Sequence, residues 1–341
     1  EIQMSEIKYN AAFFSDMPDV LPKVYALGRK QALEKELNFY PEIVTTDKFG
    51  KIESELSSIE YIFSTWSMLR LTEEQIRRMK NLKVVFYAAG SVRYFCEPFM
   101  NLGVKVVSAW IANGLPVAEF TLAQILLSTK GYFAATRICQ TYEGRKNYIN
   151  LETLFPGNFE VNVSLLGAGG IGRNVIKLLK PFKLNILVFD PFLSDEEAQK
   201  LSVTKVSLEE AFKNSIVVSN HIADLPQTKK MITKEMFESM MPNATFINTG
   251  RGATVDEEGM LDVLEVRKDI TALIDVTDPE PPNADSRLFK LDNIFLSPHI
   301  AGTIGKELVR NSDAVIEDFH RLIRGEGLQY AVTFDMLKNM A

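Results

Sequence analysis

Three segments in the last hundred residues each end an apolar run with a group capable of ionic or acid–base chemistry. The segments "ATFINTGRG", "TALIDVTDPEP" and "NIFLSPHIAG" carry Arg251, Glu280 and His299, and His299 is one of only 3 histidines in the chain. If these runs are parallel strands of one sheet, their carboxyl ends share an edge, which is where open α/β sheets bind ligands. A guanidinium, a carboxylate and an imidazole would then meet at one place.

Together these three groups supply what the reduction of a 2-keto acid requires. Arg251 can hold a carboxylate through two parallel N–H bonds and polarise the neighbouring carbonyl. His299 can donate a proton to that carbonyl oxygen, and a carboxylate such as Glu280 would orient the ring and favour its protonated form. Taken singly, the residues also fit a solvated loop cation, a surface acid in a proline turn and a turn histidine. The prediction therefore depends on their convergence.

A glycine-rich turn in the middle of the chain predicts dinucleotide binding. The stretch "SLLGAGGIGRNVIKLL" places Gly167, Gly169 and Gly172 in G-x-G-x-x-G spacing between an apolar strand and a helix. This spacing suits a tight turn, a close approach of a pyrophosphate and close packing of the helix on the strand. A glycine turn without a ligand is the alternative. The next strand, "LNILVFD", ends at Asp190, whose carboxylate can bind both adenosine ribose hydroxyls and would repel a 2′-phosphate, so NAD is favoured over NADP.

Short β-branched runs alternate with helical patterns along the whole chain, which predicts parallel sheets covered by helices. The early strand candidates are "KYNAAFF", "EIVTT", "YIFST", "KVVFYAA" and "KVVSA". Later ones include "LNILVFD", "IVVSN", "ATFINT", "TALIDV" and "NIFLSP", and an amphipathic helix covers roughly 303–324. A long helix is expected after Pro116, with the proline in its first turn. We therefore predict an α/β protein of two doubly wound domains, with the C-terminal helix and tail returning to the first.

Composition narrows the classes of function. A formal charge of −6 gives no general attraction to nucleic acid or to an anionic membrane. With 2 cysteines, no C-x-x-C and no His/Cys cluster of zinc spacing, we expect neither disulfides nor a metal site, and a reducing cytoplasm is favoured. The stretch "FTLAQILLSTKGYFAAT" is interrupted by Lys130 and Gly131, so we expect it to fall short of a membrane span.

In their order along the chain, several motifs resemble those of the D-isomer-specific 2-hydroxyacid dehydrogenase family. They are "LLGAGGIGR", "LVFDPF", "NHIADLPQTKKMI", "FINTGRGATVDEEGML", "ALIDVTDPEP" and "LSPHIAGTI", and they cover roughly 165–305. The resemblance implies a flavodoxin-like substrate-binding domain formed by 1–110 and 306–341. It also implies an inserted Rossmann NAD-binding domain, 111–305, and homodimer contacts through the helix 116–140.

The resemblance also assigns residues, by matching position. Arg251, Glu280 and His299 form the implied catalytic set. The implied cofactor-binding residues are Gly167, Gly169, Gly170, Ile171, Gly172, Asp190, His221, Thr228, Thr249 and Asp275, and the last would bond the nicotinamide carboxamide. The backbone amides of Gly90, Ser91 and Val92 would meet the substrate carboxylate together with Arg251. The stretch "AAGSVRYF" departs from the family's G-x-G-x-D pattern, and its Arg93 fits either a second anionic group or an outward surface position.

The leading prediction is an NAD-dependent oxidoreductase, cytoplasmic and homodimeric, that interconverts a small 2-keto acid and its D-2-hydroxy acid. One alternative is an NAD(H)-sensing binding protein that resembles the corepressor members of the superfamily. A formate-type dehydrogenase is the other, but such members pair their histidine with glutamine, and Glu280 argues against that. Glyoxylate, hydroxypyruvate, pyruvate and bulkier keto acids all stay open as substrates. Trp66 and Trp110, at the ends of strand candidates, either line the cleft or cap the core, and His320 is interpreted as structural.

Overall fold

A computed structural model describes residues 8–147 and 151–338. The chain divides into two compact units, which we call the first unit, Glu1–Gly114 with Thr303–Ala341, and the second unit, Leu115–Gly302. The expected domain boundaries, 110/111 and 305/306, differ from these by a few residues. Each unit is built around its own parallel sheet.

The first unit contains a five-stranded sheet in which every pairing is parallel. Its strands are β1 (Tyr9–Phe14), β2 (Leu37–Phe39), β3 (Tyr61–Ser64), β4 (Val84–Tyr87) and β5 (Lys105–Ser108). The order β2-β1-β3-β4-β5 is that of flavodoxin-like folds. The predicted doubly wound fold is confirmed for this unit.

The second unit contains a seven-stranded parallel sheet. Its strands are β6 (Asn162–Leu166), β7 (Asn185–Phe189), β8 (Thr204–Lys205), β9 (Val217–Asn220), β10 (Thr245–Asn248), β11 (Thr271–Ile274) and β12 (Ile294–Leu296). In the order β12-β11-β10-β9-β6-β7-β8, successive strands are added on one side of β6 and then, from β9 onward, on its other side, which is the Rossmann arrangement. The predicted Rossmann fold is confirmed, and β8 is a two-residue strand that the sequence did not reveal.

Helices cover both sheets. They are α1 (Leu21–Val24), α2 (Arg29–Glu36), α3 (Thr46–Phe49), α4 (Glu53–Leu56), α5 (Glu73–Arg78), α6 (Cys96–Asn101), α7 (Trp110–Thr129), α8 (Tyr132–Ile138), α9 (Tyr142–Asn147), α10 (Leu151–Leu154), α11 (Gly170–Leu179), α12 (Asp195–Leu201), α13 (Leu208–Lys213), α14 (Lys234–Glu238), α15 (Glu257–Val266), α16 (Leu308–Ile323) and α17 (Phe334–Leu337). Short 3-10 helices cover Pro226–Thr228, Gly252–Thr254, Arg287–Phe289 and Gly305–Glu307. Three helices, α5, α12 and α13, begin at Ser or Thr capping boxes that satisfy their first N–H groups.

The prediction of a strand at "EIVTT" is wrong. Val44 forms only an isolated bridge with Phe14, and the strand beside β1 is β2 instead. The Asp16 side chain ends the extended segment 42–45, because it accepts two hydrogen bonds from Thr46. Thr46 N donates to Oδ1 (2.7 Å) and Thr46 Oγ1 donates to Oδ2 (2.6 Å). These bonds turn the chain into α3.

The predicted helix 116–140 is also wrong in its bounds. Helix α7 begins at Trp110 and ends at Thr129, and α8 follows after Gly131, whose φ is +68°. Pro116 therefore lies inside α7 and removes one backbone donor there, instead of occupying the first turn. At 20 residues α7 is long and apolar enough to cross a membrane, contrary to expectation, although core helices of soluble proteins meet the same criterion.

The C-terminal segment belongs to the first unit. Phe319 of α16 packs edge-on against Phe63 and Phe86, at ring-centroid distances of 5.8 and 5.9 Å. Val332 N donates to Val106 O at 2.8 Å beside an isolated antiparallel bridge between Val107 and Ala331. The tail thus extends one edge of the five-stranded sheet.

Candidate active site

The glycine turn between β6 and α11 forms an open cradle. Gly167 has φ +100°, and a Cβ there would lie 2.9 Å from His221 O, so only glycine fits. A Cβ at Gly172 would lie 2.1 Å from Gly167 O, which requires glycine for close helix packing. None of the residues that the structure describes lies within 4 Å of a Cβ built at Gly169. The N-terminus of α11 therefore faces free space, and its unpaired N–H groups suit a pyrophosphate.

Asp190 is fixed beside this cradle. Its Oδ2 accepts from Ala168 N at 2.7 Å and its Oδ1 accepts from Phe192 N at 2.8 Å. Each oxygen keeps a further lone pair for a ribose hydroxyl. Arg173, the first arginine after the glycines, donates to Ala168 O and to Glu197, both at 2.9 Å, so its guanidinium is held by the protein. This donor and acceptor set fits NAD.

His221 follows β9 directly under the glycine turn. Its Nε2 lies 3.0 Å from Ser219 Oγ, and its Nδ1 is buried without a hydrogen-bond partner among the described residues. Burial lowers the pKa of His221 to about 4. The ring is therefore neutral at pH 7, and the backbone oxygen of His221 lies against Gly167 of the glycine turn.

Two threonines predicted to lie along the cofactor make local bonds. Thr228 Oγ1 donates to Ala223 O at 2.6 Å and accepts from Leu225 N at 2.9 Å, which closes the loop after β9. Thr249 is buried, with its Oγ1 3.2 Å from Thr121 Oγ1 of α7. The structure thus gives both hydroxyls a structural role, and their contact with the cofactor stays a prediction.

The structure brings Glu280 and His299 into direct contact. His299 Nδ1 lies 2.5 Å from Glu280 Oε1, with 51% and 42% of the two side chains exposed. The loop that follows β11 presents Glu280, and Thr277 stabilises it by donating from Oγ1 to Pro279 O at 2.8 Å. Because an ionised carboxylate only accepts, Nδ1 must carry the proton in this pair.

Arg251 follows β10, the strand next to β11. Its Nη1 donates to Gly250 O at 2.8 Å. Burial lowers the pKa of Arg251, and the negative charges of Asp224 and Glu280 oppose that shift. Gly252 packs so tightly that an added Cβ would lie 2.2 Å from Thr277 C. The Arg251 loop therefore rests on the loop that carries Glu280, and the three residues share one edge of the sheet.

Asp275, predicted to contact the nicotinamide, is 3% exposed at the end of β11. Its carboxylate accepts three hydrogen bonds, from Ser297 Oγ, Ile300 N and Ala301 N. These donors belong to the segment that carries His299. Sequence reasoning missed Ser297, because its position two residues before the histidine does not by itself reveal a bond to Asp275.

A cavity of about 540 Å³ lies beside the Glu280–His299 pair. Asp275, Thr277 and Ser297 also line it. Its apolar wall, which sequence reasoning also missed, consists of Pro281, Pro282, Phe289, Leu296 and Pro298. Nothing in their residue types distinguishes these side chains from ordinary core positions.

In the first unit, Gly90, Ser91 and Val92 follow β4. Two carbonyl oxygens of this turn accept hydrogen bonds from buried hydroxyls. Thr65 Oγ1 donates to Ala88 O at 3.1 Å, and Ser108 Oγ donates to Gly90 O at 2.6 Å. No hydrogen bond within 8–147 and 151–338 engages the N–H groups of residues 90–92. Successive unpaired backbone N–H groups form a concave site for an anion.

The remaining predicted residues have structural contacts. Arg93 is exposed and donates to Leu337 O, which ties α17 to the 88–95 loop. Trp66 is half-buried and packs against the apolar cores on both faces of its sheet, whereas Trp110 begins α7. His320 Nε2 lies 3.0 Å from Glu36 Oε1. Among the described residues, no group of three or more His, Cys, Asp or Glu could hold a metal ion.

Sequence comparisons relate the chain to known dehydrogenases. It is 29% identical over 276 residues to D-3-phosphoglycerate dehydrogenase of Archaeoglobus fulgidus, which covers 80% of this chain and 51% of that protein. It is 28% identical over 286 residues to hydroxypyruvate reductase of Thermotoga maritima, covering 81% and 90%. The chain spans about half the length of the first curated relatives that it matches.

Solved structures share the fold. A phosphoglycerate oxidoreductase from Rhizobium etli superimposes with a TM-score of 0.79 at 22% identity, covering 97% of this chain and 100% of that one. D-mandelate dehydrogenase of Rhodotorula graminis, in its apo form, gives 0.78 at 17% identity, covering 96% and 98%. The family model "D-isomer specific 2-hydroxyacid dehydrogenase, NAD binding domain" matches residues 130–301, which is 172 (301 − 130 + 1) of the 341 residues. The chain therefore belongs to the D-isomer specific 2-hydroxyacid dehydrogenase family and uses NAD as its cofactor.

Proposed function

We propose that the protein interconverts a small 2-keto acid and its D-2-hydroxy acid, with His299 as the general acid and base. The observation that carries this proposal is the 2.5 Å contact between His299 Nδ1 and Glu280 Oε1. The partly buried Arg251 lies on the adjoining loop. Cation, carboxylate and imidazole follow three neighbouring parallel strands, β10, β11 and β12.

Each of the three residues has one proposed role. Arg251 binds the substrate carboxylate, and its partial burial strengthens that ion pair relative to one fully exposed to water. Glu280 holds the imidazole by Nδ1, which leaves Nε2 to exchange a proton with the substrate oxygen. His299 donates this proton when the keto acid is reduced and accepts it when the hydroxy acid is oxidised. The bound dinucleotide supplies the hydride chemistry.

We also propose where the cofactor and the substrate carboxylate bind. The turn of Gly167, Gly169, Gly170, Ile171 and Gly172 holds the pyrophosphate, and Asp190 binds the adenosine ribose and disfavours a 2′-phosphate. The N–H groups of residues 90–92 bind the substrate carboxylate as backbone donors. A homodimer, a cytoplasmic location, and no nucleic-acid or membrane partner complete the proposal, as predictions from the sequence.

The test is oxidation of NADH, and separately of NADPH, with a panel of 2-keto acids. The panel contains glyoxylate, hydroxypyruvate, pyruvate and bulkier keto acids. Saturable turnover with NADH supports the proposal. Tight NADH binding without turnover on any panel member would favour an NAD(H)-sensing protein, and formate oxidation without keto-acid turnover would favour the formate-type chemistry.

A further inference from the structure

The segment that carries His299 is anchored by a side chain outside the proposed catalytic set. We propose that Ser297 is a positioning residue, which acts through Asp275 to hold the His299 imidazole against Glu280. This inference rests on the proposed function, because it deepens the account of how the same site is arranged. It assigns Ser297 no contact with substrate or cofactor.

The Asp275 carboxylate accepts three hydrogen bonds from the segment 297–301. Ser297 Oγ donates to Oδ1 at 2.6 Å, and Ile300 N donates to the same oxygen at 2.9 Å. Ala301 N donates to Oδ2 at 2.9 Å. Because Asp275 is almost fully buried, these donors replace water that the charge has lost. The segment is therefore held to Asp275 on both sides of His299.

The backbone of His299 needs such an anchor. Its φ is +54°, in the left-handed region that residues other than glycine rarely adopt. Its N–H donates to Asp275 O and to Ser297 O, both at 3.0 Å. A conformation of this kind persists only where surrounding bonds over-determine it. Ser297 supplies the side-chain bond on the N-terminal side of the turn.

The position of the imidazole follows from this turn. The partner carboxylate, Glu280, stands on a different loop, and the two side chains are about half exposed. Neither is locked by core packing, so the 2.5 Å contact depends on where the turn holds the ring. Loss of the Ser297 hydroxyl removes one donor from Asp275 and lets the turn relax. A shift of about 1 Å is enough to impair proton transfer, since proximity effects are steep.

The direct test compares Ser297→Ala with Ser297→Thr. The first removes the hydroxyl, and the second restores it with one additional methyl. Because Ser297 borders the cavity beside Glu280, that methyl has space. Asp275→Asn would be less clean, since Asp275 is also a predicted cofactor contact. Ser164→Ala is the matched control, because it deletes a buried hydroxyl bond of 2.7 Å to Ser215, in β6 of the same unit.

In steady-state assays with NADH and the best keto acid, Ser297→Ala should lower kcat roughly 10- to 100-fold. Its KM for NADH should stay near the wild-type value, because no cofactor donor has been removed. Ser297→Thr should recover most of kcat, and Ser164→Ala should keep it. Wild-type kcat in Ser297→Ala, or an equal loss in Ser297→Thr or in the control, would overturn the proposal.

Nitrogen-15 NMR of the histidine rings tests the same idea without turnover. The wild-type protein should hold neutral His299 as the Nδ1–H tautomer, because Glu280 only accepts. Ser297→Ala should show a mixture with the Nε2–H tautomer, and Ser297→Thr should not. With only 3 histidines in the chain, single His→Gln variants assign the signals. If no keto acid is reduced, the proposed function fails, whereas an unchanged tautomer in Ser297→Ala refutes the role of Ser297 alone.

Discussion

The two units present their candidate binding groups in opposite ways. In the first unit the groups are the backbone N–H donors of residues 90–92, which follow β4. Buried hydroxyls donate hydrogen bonds to the carbonyl oxygens of the same turn. In the second unit they are side chains after neighbouring strands, Arg251, Glu280 and His299. In both sheets the candidate groups lie at the carboxyl ends of parallel strands. The two units therefore use equivalent positions of the fold, one with backbone donors and the other with side chains.

The family match lies in one of these two units. The model of the NAD binding domain matches 130–301, which lies wholly within the second unit. A side chain that binds or transfers a proton must keep its residue type. A backbone N–H can be supplied by many residue types, so we expect substitutions in the turn of residues 90–92 to be tolerated better than substitutions of Arg251, Glu280 or His299. The following variants test this contrast, from the largest expected effect to the smallest.

The largest effect should come from removing a side chain of the second unit. His299→Ala and Arg251→Ala should each lower kcat/KM about 10³-fold, because proton transfer or carboxylate binding is lost. The affinity for NADH, measured by fluorescence titration, should change only a few-fold. Arg287→Ala serves as the control, since that arginine pairs at the surface with Glu258, Asp262 and Glu265. Comparable loss of NADH affinity in the first two variants would mean that their roles are misassigned.

The second prediction concerns the stability of the second unit in acid. The pKa of His221 is lowered to about 4 by burial, whereas the unfolded chain has a histidine pKa near ~6.5. Between these values the unfolded state binds more protons, so stability falls as the pH drops through this window. The loss between pH 7.5 and pH 5 should be about 2 kcal/mol.

Hydrogen exchange at pH 7.5 and pH 5, resolved by peptide, measures this effect in each unit separately. Protection should fall in the strands of the second unit that flank His221, and His221→Gln should flatten that dependence. His320→Gln is the control, since His320 lies on α16 of the first unit beside Glu36. Equal acid sensitivity of the wild type and His221→Gln would exclude His221 as the cause.

Particular residues show how far sequence reasoning reaches. Strand-end positions of Asp190, Arg251, Glu280 and His299 could be read from apolar runs that stop abruptly, because parallel strands place such residues on one edge. The Asp275–Ser297 bond could not, since it depends on a left-handed turn that no spacing reveals. Local signals also misled at "EIVTT", where β-branched residues favour a strand but the Asp16 side chain turns the chain. At 42–46 the long-range bonds of Asp16 overrode local propensity, and at Ser297 a long-range bond formed that local signals do not encode.

The third prediction concerns cofactor choice. Asp190→Ala should raise the KM for NADH about tenfold and relax the discrimination against NADPH, because the carboxylate that favours ribose hydroxyls is gone. Asp195→Asn is a matched control, since this exposed carboxylate begins α12 and pairs with Lys205. Parallel kinetics with NADH and NADPH check the ratio of kcat/KM values. An unchanged ratio in Asp190→Ala would argue against the ribose role.

The smallest effect should come from the backbone site of the first unit, and it tests the contrast most directly. A Cβ at position 90 would lie 3.0 Å from Asn113 Nδ2, so in Gly90→Ala the turn and the Asn113 side chain must separate by a few tenths of an ångström. The KM for the keto acid should rise about fivefold while the KM for NADH is unchanged, since only backbone donors move. Ser91→Ala keeps the same N–H groups and should leave both constants near wild type. If Ser91→Ala raised the keto-acid KM as much as Gly90→Ala, the first unit would bind through a side chain after all, and the contrast between the units would fail.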